Sequence, residues 1–510
     1  MTVLTLLLVF AAADETVKPK LPLGKDTTFV EGPLTKEGYV NYEAALNERL
    51  SKGIKPENNA NVLLWKAMGP KPEGGNGMHP DYFKALGMTA PPEKGEYLFS
   101  NANYYREHHK DFTQEQQDKF FDVNQVTHKR PWNAKQNPER HAWLMANEKP
   151  LAVVLEAVKQ PDYYNPIFSP RRDNDTTLIV AALLPIVQKS REFASLLLMR
   201  AMLELDAKQY DDAWRDIYAV HRLARLQSRG ATLIELLYSF AIESMANQAT
   251  LVYLEATPLT AVQIQSRWKE LAALPASAPI ADKVNLCERF LYLDSVQNLR
   301  KNPKEFPSGE RKLSDDELKA LESIDWTPVL RDGNIWYDKM VKGMTIADRA
   351  ERMKALKEID EELHKRNARF KDESILNKAF TTLDITGKSQ LKRTGEMLIG
   401  QVIPAAMKVQ QDADRREQNA INLELAFALE AYFAEHQKYP AKLDDLAPKF
   451  IKKVPDDLFS GKALIYKPNG KDYQFYSVGV NGKDDGGRSF DDEPRGDDLI
   501  VRMPLPALKK

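Results

Sequence analysis

The sequence predicts a mainly α-helical protein. A multi-helix body is closed at its C-terminus by a small α+β domain, in which one long helix meets an antiparallel sheet of three or four strands. Three observations carry this. From Tyr39 to about residue 400, apolar residues recur at spacings of three and four, which places them on one face of a helix. Proline and glycine close these runs, as at Gly69-Pro70 and Pro275. Beyond Pro440 the pattern changes to short runs rich in Tyr, Phe, Ile and Val between Asn-Gly and Asp-rich turns, the pattern of strands.

The 510 residues exceed what a single core ordinarily serves, so about two or three domains are expected. They divide into a signal-like segment at 1–13, an N-terminal arm at 14–36, a helical body at 37–400 with subdivisions near 170 and at 300–325, and a C-terminal domain at 405–510. Lys and Arg total 72 against 73 Asp and Glu, a balance that argues against a chain-wide nucleic-acid surface. No interior run reaches about 20 apolar residues, so no transmembrane helix is expected in the mature chain. MTVLTLLLVFAAADE has the short apolar core and small-residue end of a secretory signal, so export is expected, with the mature chain starting near Asp14. The single cysteine, Cys287, cannot form an internal disulfide and reads as a buried small hydrophobe.

The arm is rich in Lys, Pro, Gly and Thr and has no core of its own. YVNYEAALNERLSKGI and NNANVLLWKAMGP then read as two helices, and Pro80 to Leu86 as a short one. The zone from His79 through 145 holds five histidines: His79, His108, His109, His128 and His141. Their spacing matches no metal motif, so they read as polar surface or packing. Tyr104, Tyr105, Trp132, Trp143, Tyr163 and Tyr164 could line a peptide or sugar cleft, but such a density of aromatics also suits a core.

Residues 177–227 read as two long helices broken at DAKQYDD, one hairpin of tetratricopeptide type. His221 falls on its apolar face and reads as a satisfied core histidine. ATLIELLYSFAIESMANQATLVYLEA is the most apolar helix and is expected to be central. Its Glu235 and Glu243 read as lying roughly on one face, within reach of Arg222 or Arg225 as buried ion pairs or as an acid–base pair. Two further helices follow, ending at Pro275 and near Leu299. The charged insertion at 300–325 carries a capping box at Ser314 and Glu317, and solvated helices of mixed charge run on from Asn334.

Glu417 to His436 reads as an amphipathic helix stopped by Tyr439-Pro440. Ala463 to Tyr466 and Tyr473 to Val478 read as strands around a turn at Pro468, Asn469 and Gly470, and Leu499 to Met503 as a last strand. Tyr439-Pro440, then Asp457, Gly461 and Tyr466, then Ser477, Gly479, Asn481, Gly482, Gly486 and Gly487, occur in order. This stretch resembles the periplasmic domain of the type II secretion major pseudopilin, over about 90 residues. The whole chain resembles exported bacterial proteins that carry such a tail. The match departs where that family has a spanning helix, because LIGQVIPAAMKVQQDA is too short and too polar to cross a bilayer.

The resemblance implies calcium at the acidic loop, with Asn481, Asp484, Asp485, Asp491 and Asp492 as ligands beside the Ser477 or Val480 carbonyl. No EF-hand, Walker A, GxGxxG after a strand, GxSxG or CxxC occurs. An exported or envelope-associated interaction or scaffold protein is therefore expected, with protein partners in the cell envelope and no reaction legible. The alternative is an exported hydrolase, or a peptide- or glycan-binding protein, with its site in region 100–170.

Overall fold

The computed structural model describes residues 18–72, 77–108, 127–169, 184–302, 325–368 and 388–508, with Thr113, Glu115, Ile179, Ala182 and Asp315 between them. The signal-like segment, His109 and the capping box at Ser314 and Glu317 lie outside the described residues.

The chain is mainly helical, with one small antiparallel sheet near its C-terminus. Helices α1 (Tyr42–Ser51), α2 (Ala60–Met68), α3 (Pro80–Ala85) and α4 (Asn101–His108) come first, then α5 (Pro138–Ala146) and α6 (Glu148–Ala157). Asn41 caps α1 by accepting from the Ala44 amide at 2.9 Å, and α2 ends at Gly69, whose φ of +83° suits glycine. Next come α7 (Pro185–Asp206) and α8 (Tyr210–Gln227), the expected antiparallel hairpin.

Helix α9 (Leu233–Ala256) starts at a capping box in which Thr232 and Glu235 bond each other's backbone. Its apolar composition has a structural cause: α9 packs against α7, α8 and also the last helix, so it has little solvated face. A second capping box, Thr260 with Gln263, opens α10 (Ala261–Ala272).

Helix α11 (Ile280–Lys283) passes through a wide turn at Val284–Glu288 into α12 (Arg289–Lys301). Cys287 is fully buried in that turn, and burial pushes its thiol well above the usual range. Helices α13 (Thr327–Met344) and α14 (Arg349–Ala368) follow. Gly333 sits inside α13 against helix propensity because the Tyr292 ring occupies the place of a Cβ.

Among the described residues, two apolar clusters form the interior. One joins α2, α3 and α5–α10 to the C-terminal half of α15 and the sheet. The other joins α1 to α11–α14. The N-terminal arm makes no core of its own, yet Leu21 and Val30 are buried in the second cluster.

The last helix, α15, runs unbroken from Lys388 to His436. It therefore begins well before Glu417, the start read from the sequence. Nothing at Glu417 caps a helix: Asp414, the preceding carboxylate, is taken by Arg349 at 2.8 Å and Arg352 at 3.1 Å on α14. One helix is thus shared by the body and the C-terminal unit, and residues 400–405 fall inside it. Among the described residues, no helix is long and apolar enough to cross a membrane.

The sheet has the order β1 (Ile465–Asn469), β2 (Asp472–Ser477) and β3 (Leu499–Met503), all antiparallel. Ile465 faces Tyr476, and Tyr473 faces Met503. Tyr473, Phe475, Val501 and Met503 enter the core beside α15. Pro468 and Asn469 belong to β1 and not to the turn. Strand β1 is an edge, so a proline there loses no ladder bond to a further strand. The turn itself is at Gly470, with φ +66°.

Candidate interaction site

The loop from Val478 to Asp498 joins the central strand β2 to β3, and bonds from Tyr476 to Asp484 and from Arg502 to the Gly487 carbonyl and Asp492 hold it to the sheet. Buried carboxylates hold its two ends. At the first, Asp457 accepts from Ser477 Oγ at 2.6 Å and the Val478 amide at 3.3 Å, as well as from the Phe459 amide and Ser460 Oγ. At the second, Asp498 accepts from the amides of Gly487 at 2.7 Å and Asp485 at 3.3 Å. Both are almost wholly shielded from solvent. Gly479 has φ +66°, and a Cβ there would overlap the Asp497 carbonyl.

The residues expected to hold calcium are placed in two groups. Asn481, Asp484 and Asp485 form one. Asp485 Oδ2 accepts from the Asn481 side chain at 3.0 Å and the Asp497 amide at 2.8 Å, and these bonds hold its carboxyl below the usual range. Asp484 Oδ1 accepts from Tyr476 Oη at 3.0 Å and the Gly486 amide at 2.8 Å. Asp491 and Asp492 lie at a separate turn centred on Ser489. There Asp492 accepts from the Ser489 amide at 2.8 Å and from Arg502 at 3.0 Å, which lowers its carboxyl to about 2.

Among the described residues, no group of three or more His, Cys, Asp or Glu could hold a metal ion. A thermal melt of the full chain with and without millimolar calcium tests whether the loop holds that ion. A rise in a thermal melt would show a metal site, since a ligand bound only by the folded state must raise it.

At the tip stands Phe490, 69% exposed, with the Arg495 guanidinium 4.5 Å from its ring centre. From Asn481 to Asp498 there are seven acidic and three basic residues, so the exposed aromatic ring stands on a loop with an acidic surplus.

The loop is tied to the body through α15. Arg415 donates to Asp497 Oδ1 at 2.6 Å, while Asp497 Oδ2 accepts from the Asn481 amide at 2.8 Å. The next residue, Arg416, donates to Glu243 on α9 at 2.5 Å, and Arg225 on α8 reaches the same carboxylate at 3.0 Å. A cavity of about 250 Å³ lies between α9 and α15 at this point, lined by Phe240, Glu243, Asp412, Arg415 and Arg416. Burial raises Glu243 to about 7 against the pull of Arg225.

Glu235 is not part of this arrangement. It closes the capping box and accepts from Asn165 at 2.8 Å. Eight residues advance a helix by about 80° beyond two full turns, so the two glutamates diverge.

The described aromatic residues of the His- and aromatic-rich region are placed mostly as packing. Tyr104, Trp132, Trp143, Tyr163 and Tyr164 are buried, with Trp132 donating to the Met199 carbonyl and Trp143 to the Phe99 carbonyl. His79 caps α3 at its ring nitrogen, and His108 stacks on Tyr104 at 4.2 Å. His221 is buried with Nε2 3.0 Å from Thr250 Oγ1, and burial lowers it to about 3, so it stays neutral.

Other carboxyls are pushed up to about 7 by burial, among them Asp294, which accepts from the Ile179 amide, Glu288, and Glu430, between the hydroxyls of Tyr439 and Tyr473. Each is more easily protonated folded than unfolded. Their stabilisation is complete below the unfolded carboxyl range, at about pH 4, and is lost as pH rises through 7. The melting temperature is therefore expected to fall by several degrees between pH 5 and pH 8. A melt that is flat or rises over that window would contradict this assignment.

Sequence reasoning missed Asp497, Asp498, Arg415 and Arg416. Adjacent arginines in a charged helix carry no local signal of which carboxylates they meet. No family model, curated protein or solved structure matches the chain.

Proposed function

We propose that this protein is an exported, envelope-associated interaction module that binds a protein partner through the loop at 478–498. One observation carries the proposal: Phe490, 69% exposed, stands on a loop whose carboxylates are bonded by the loop's own amides and hydroxyls. A rigid aromatic residue is the common anchor of protein interfaces, because little conformational freedom is lost when it is buried. The acidic surplus of the loop calls for a basic partner surface with an apolar pocket for the ring.

Export rests on the N-terminal apolar run with its small-residue end. The likeness to pseudopilin periplasmic domains is supported by the long helix, the Tyr439-Pro440 stop and the Asp- and Gly-rich loop before the last strand. The hairpin of α7 and α8 suits a scaffold of tetratricopeptide kind.

The test is quantitative capture by the tagged full chain from envelope fractions, compared with Phe490→Ala. The substitution is expected to weaken partner retention by about 2 kcal/mol, more than tenfold, while leaving the melting temperature in place. Equal retention by both proteins would refute the loop as the binding element. Sequencing the mature N-terminus tests export, with a start near Asp14 expected.

A further inference from the structure

The cavity between α9 and α15 has two unlike walls. Phe240 gives it an apolar side, and Ser244 and Asn247 continue along the same helix. Opposite them, α15 presents Arg415, Arg416 and Asn419. Its volume of about 250 Å³ is just below the range of pockets that take drug-sized ligands, so it suits a small metabolite.

The charge at the cavity is not balanced pair by pair. Arg225 and Arg416 share one carboxylate, that of Glu243, which leaves one cation in excess. Asp412, the other acid on the wall, faces Lys408 as well as Arg415. Arg416 lies 5.7 Å from the centre of the Phe240 ring, so a cationic group and an apolar surface adjoin. Arg415 bonds Asp497 through one nitrogen and is about a third exposed, so its guanidinium is within reach of an added acceptor that takes two parallel bonds.

We infer that this cavity binds a small organic carboxylate with a short apolar body, and that its binding loosens the loop at 478–498. A carboxylate is planar and takes two parallel bonds from a guanidinium, a match that fits Arg415 beside an apolar wall. The acid competes with Asp497 for Arg415. Asp497 in turn bonds the Asn481 amide, and its own amide bonds Asp485, so releasing it frees the first half of the loop. Acid and protein partner then oppose each other, and the effect must be reciprocal because it is a coupling free energy. This regulatory step rests on the interaction reading above, whereas acid binding itself does not.

The experiment uses the full chain with butyrate as probe and inorganic phosphate as control. Calorimetry is expected to show butyrate binding and little heat from phosphate, which has no apolar body. Ser244 is exposed on the cavity wall, so Ser244→Phe fills the cavity without breaking an ion pair. That variant is expected to keep its melting temperature and to weaken butyrate binding about tenfold or more. Hydrogen exchange at the amides of Asn481 and Asp497 is expected to speed up when butyrate is added to the wild type and not when it is added to Ser244→Phe.

No butyrate binding, or equal binding by the folded variant, overturns the site. Binding without any change in loop exchange overturns the coupling. If Phe490→Ala leaves partner retention intact while butyrate still binds, the interaction reading fails and the acid site stands.

Discussion

Replacing Asp457 with alanine is expected to destabilise the C-terminal unit by about 4 kcal/mol and to release the loop it anchors. Asp457 is 2% exposed and accepts four hydrogen bonds, from Ser477, Val478, Phe459 and Ser460. Removing the carboxylate leaves Ser477 Oγ and the Val478 amide buried without an acceptor, and each such orphan costs about 1–3 kcal/mol. Asp457→Asn keeps one oxygen and is expected to cost about half as much. Hydrogen exchange reads the result by segment, which matters because a chain of this length need not unfold in one step. Loss of protection in β2 and the loop, with α7 and α8 unchanged, is the expected pattern. A cost below about 1 kcal/mol would mean that water replaces the carboxylate and that the loop is not anchored there.

The second large effect lies in the body. Asp216 on α8 is fully buried and bonds Arg200 of α7 through both oxygens, at 2.5 and 3.1 Å, with Arg215 at 3.1 Å. Asp216→Ala leaves Arg200 as a buried charge whose close partner is gone, a change that costs about 3–5 kcal/mol. The double substitution Arg200→Leu with Asp216→Leu is expected to recover most of that loss, because two apolar side chains remove the desolvation cost together with the attraction. Urea denaturation of the single and double variants decides the matter. If the double variant is as unstable as the single one, the pair specifies the packing of the hairpin and not merely its charge balance.

Much of the fold was legible in advance because it depends on local chemistry. The α7–α8 hairpin, the central α9, the glycine stop of α2 and the last strand follow from periodicity and capping, which involve residues a few positions apart. The misread boundaries share one cause. Pro468 reads as a turn residue, but it stands on an edge strand where the lost N–H has no partner to miss. Glu417 reads as a helix start, yet α15 begins at Lys388 and is held by Arg349 and Arg352 from α14.

The candidate site divides the same way. The sequence alone establishes that an Asp- and Gly-rich loop lies before a final strand, because glycine, asparagine and aspartate at that density cannot continue a strand. It also establishes the acidic surplus of that loop. Only the tertiary structure decides what the acids do. Asp497 meets Arg415 across 82 positions, Glu243 meets Arg416 across 173, and Asp457 meets Val478 across 21. Those partners are chosen by the packing of α15 against α9 and the sheet, and a carboxylate's chemistry is set by whichever donor that packing brings within 3 Å or so. Residue type therefore announces a charged loop, while the long-range fold determines that its carboxylates are bonded to amides and arginines, with Phe490 left at the surface.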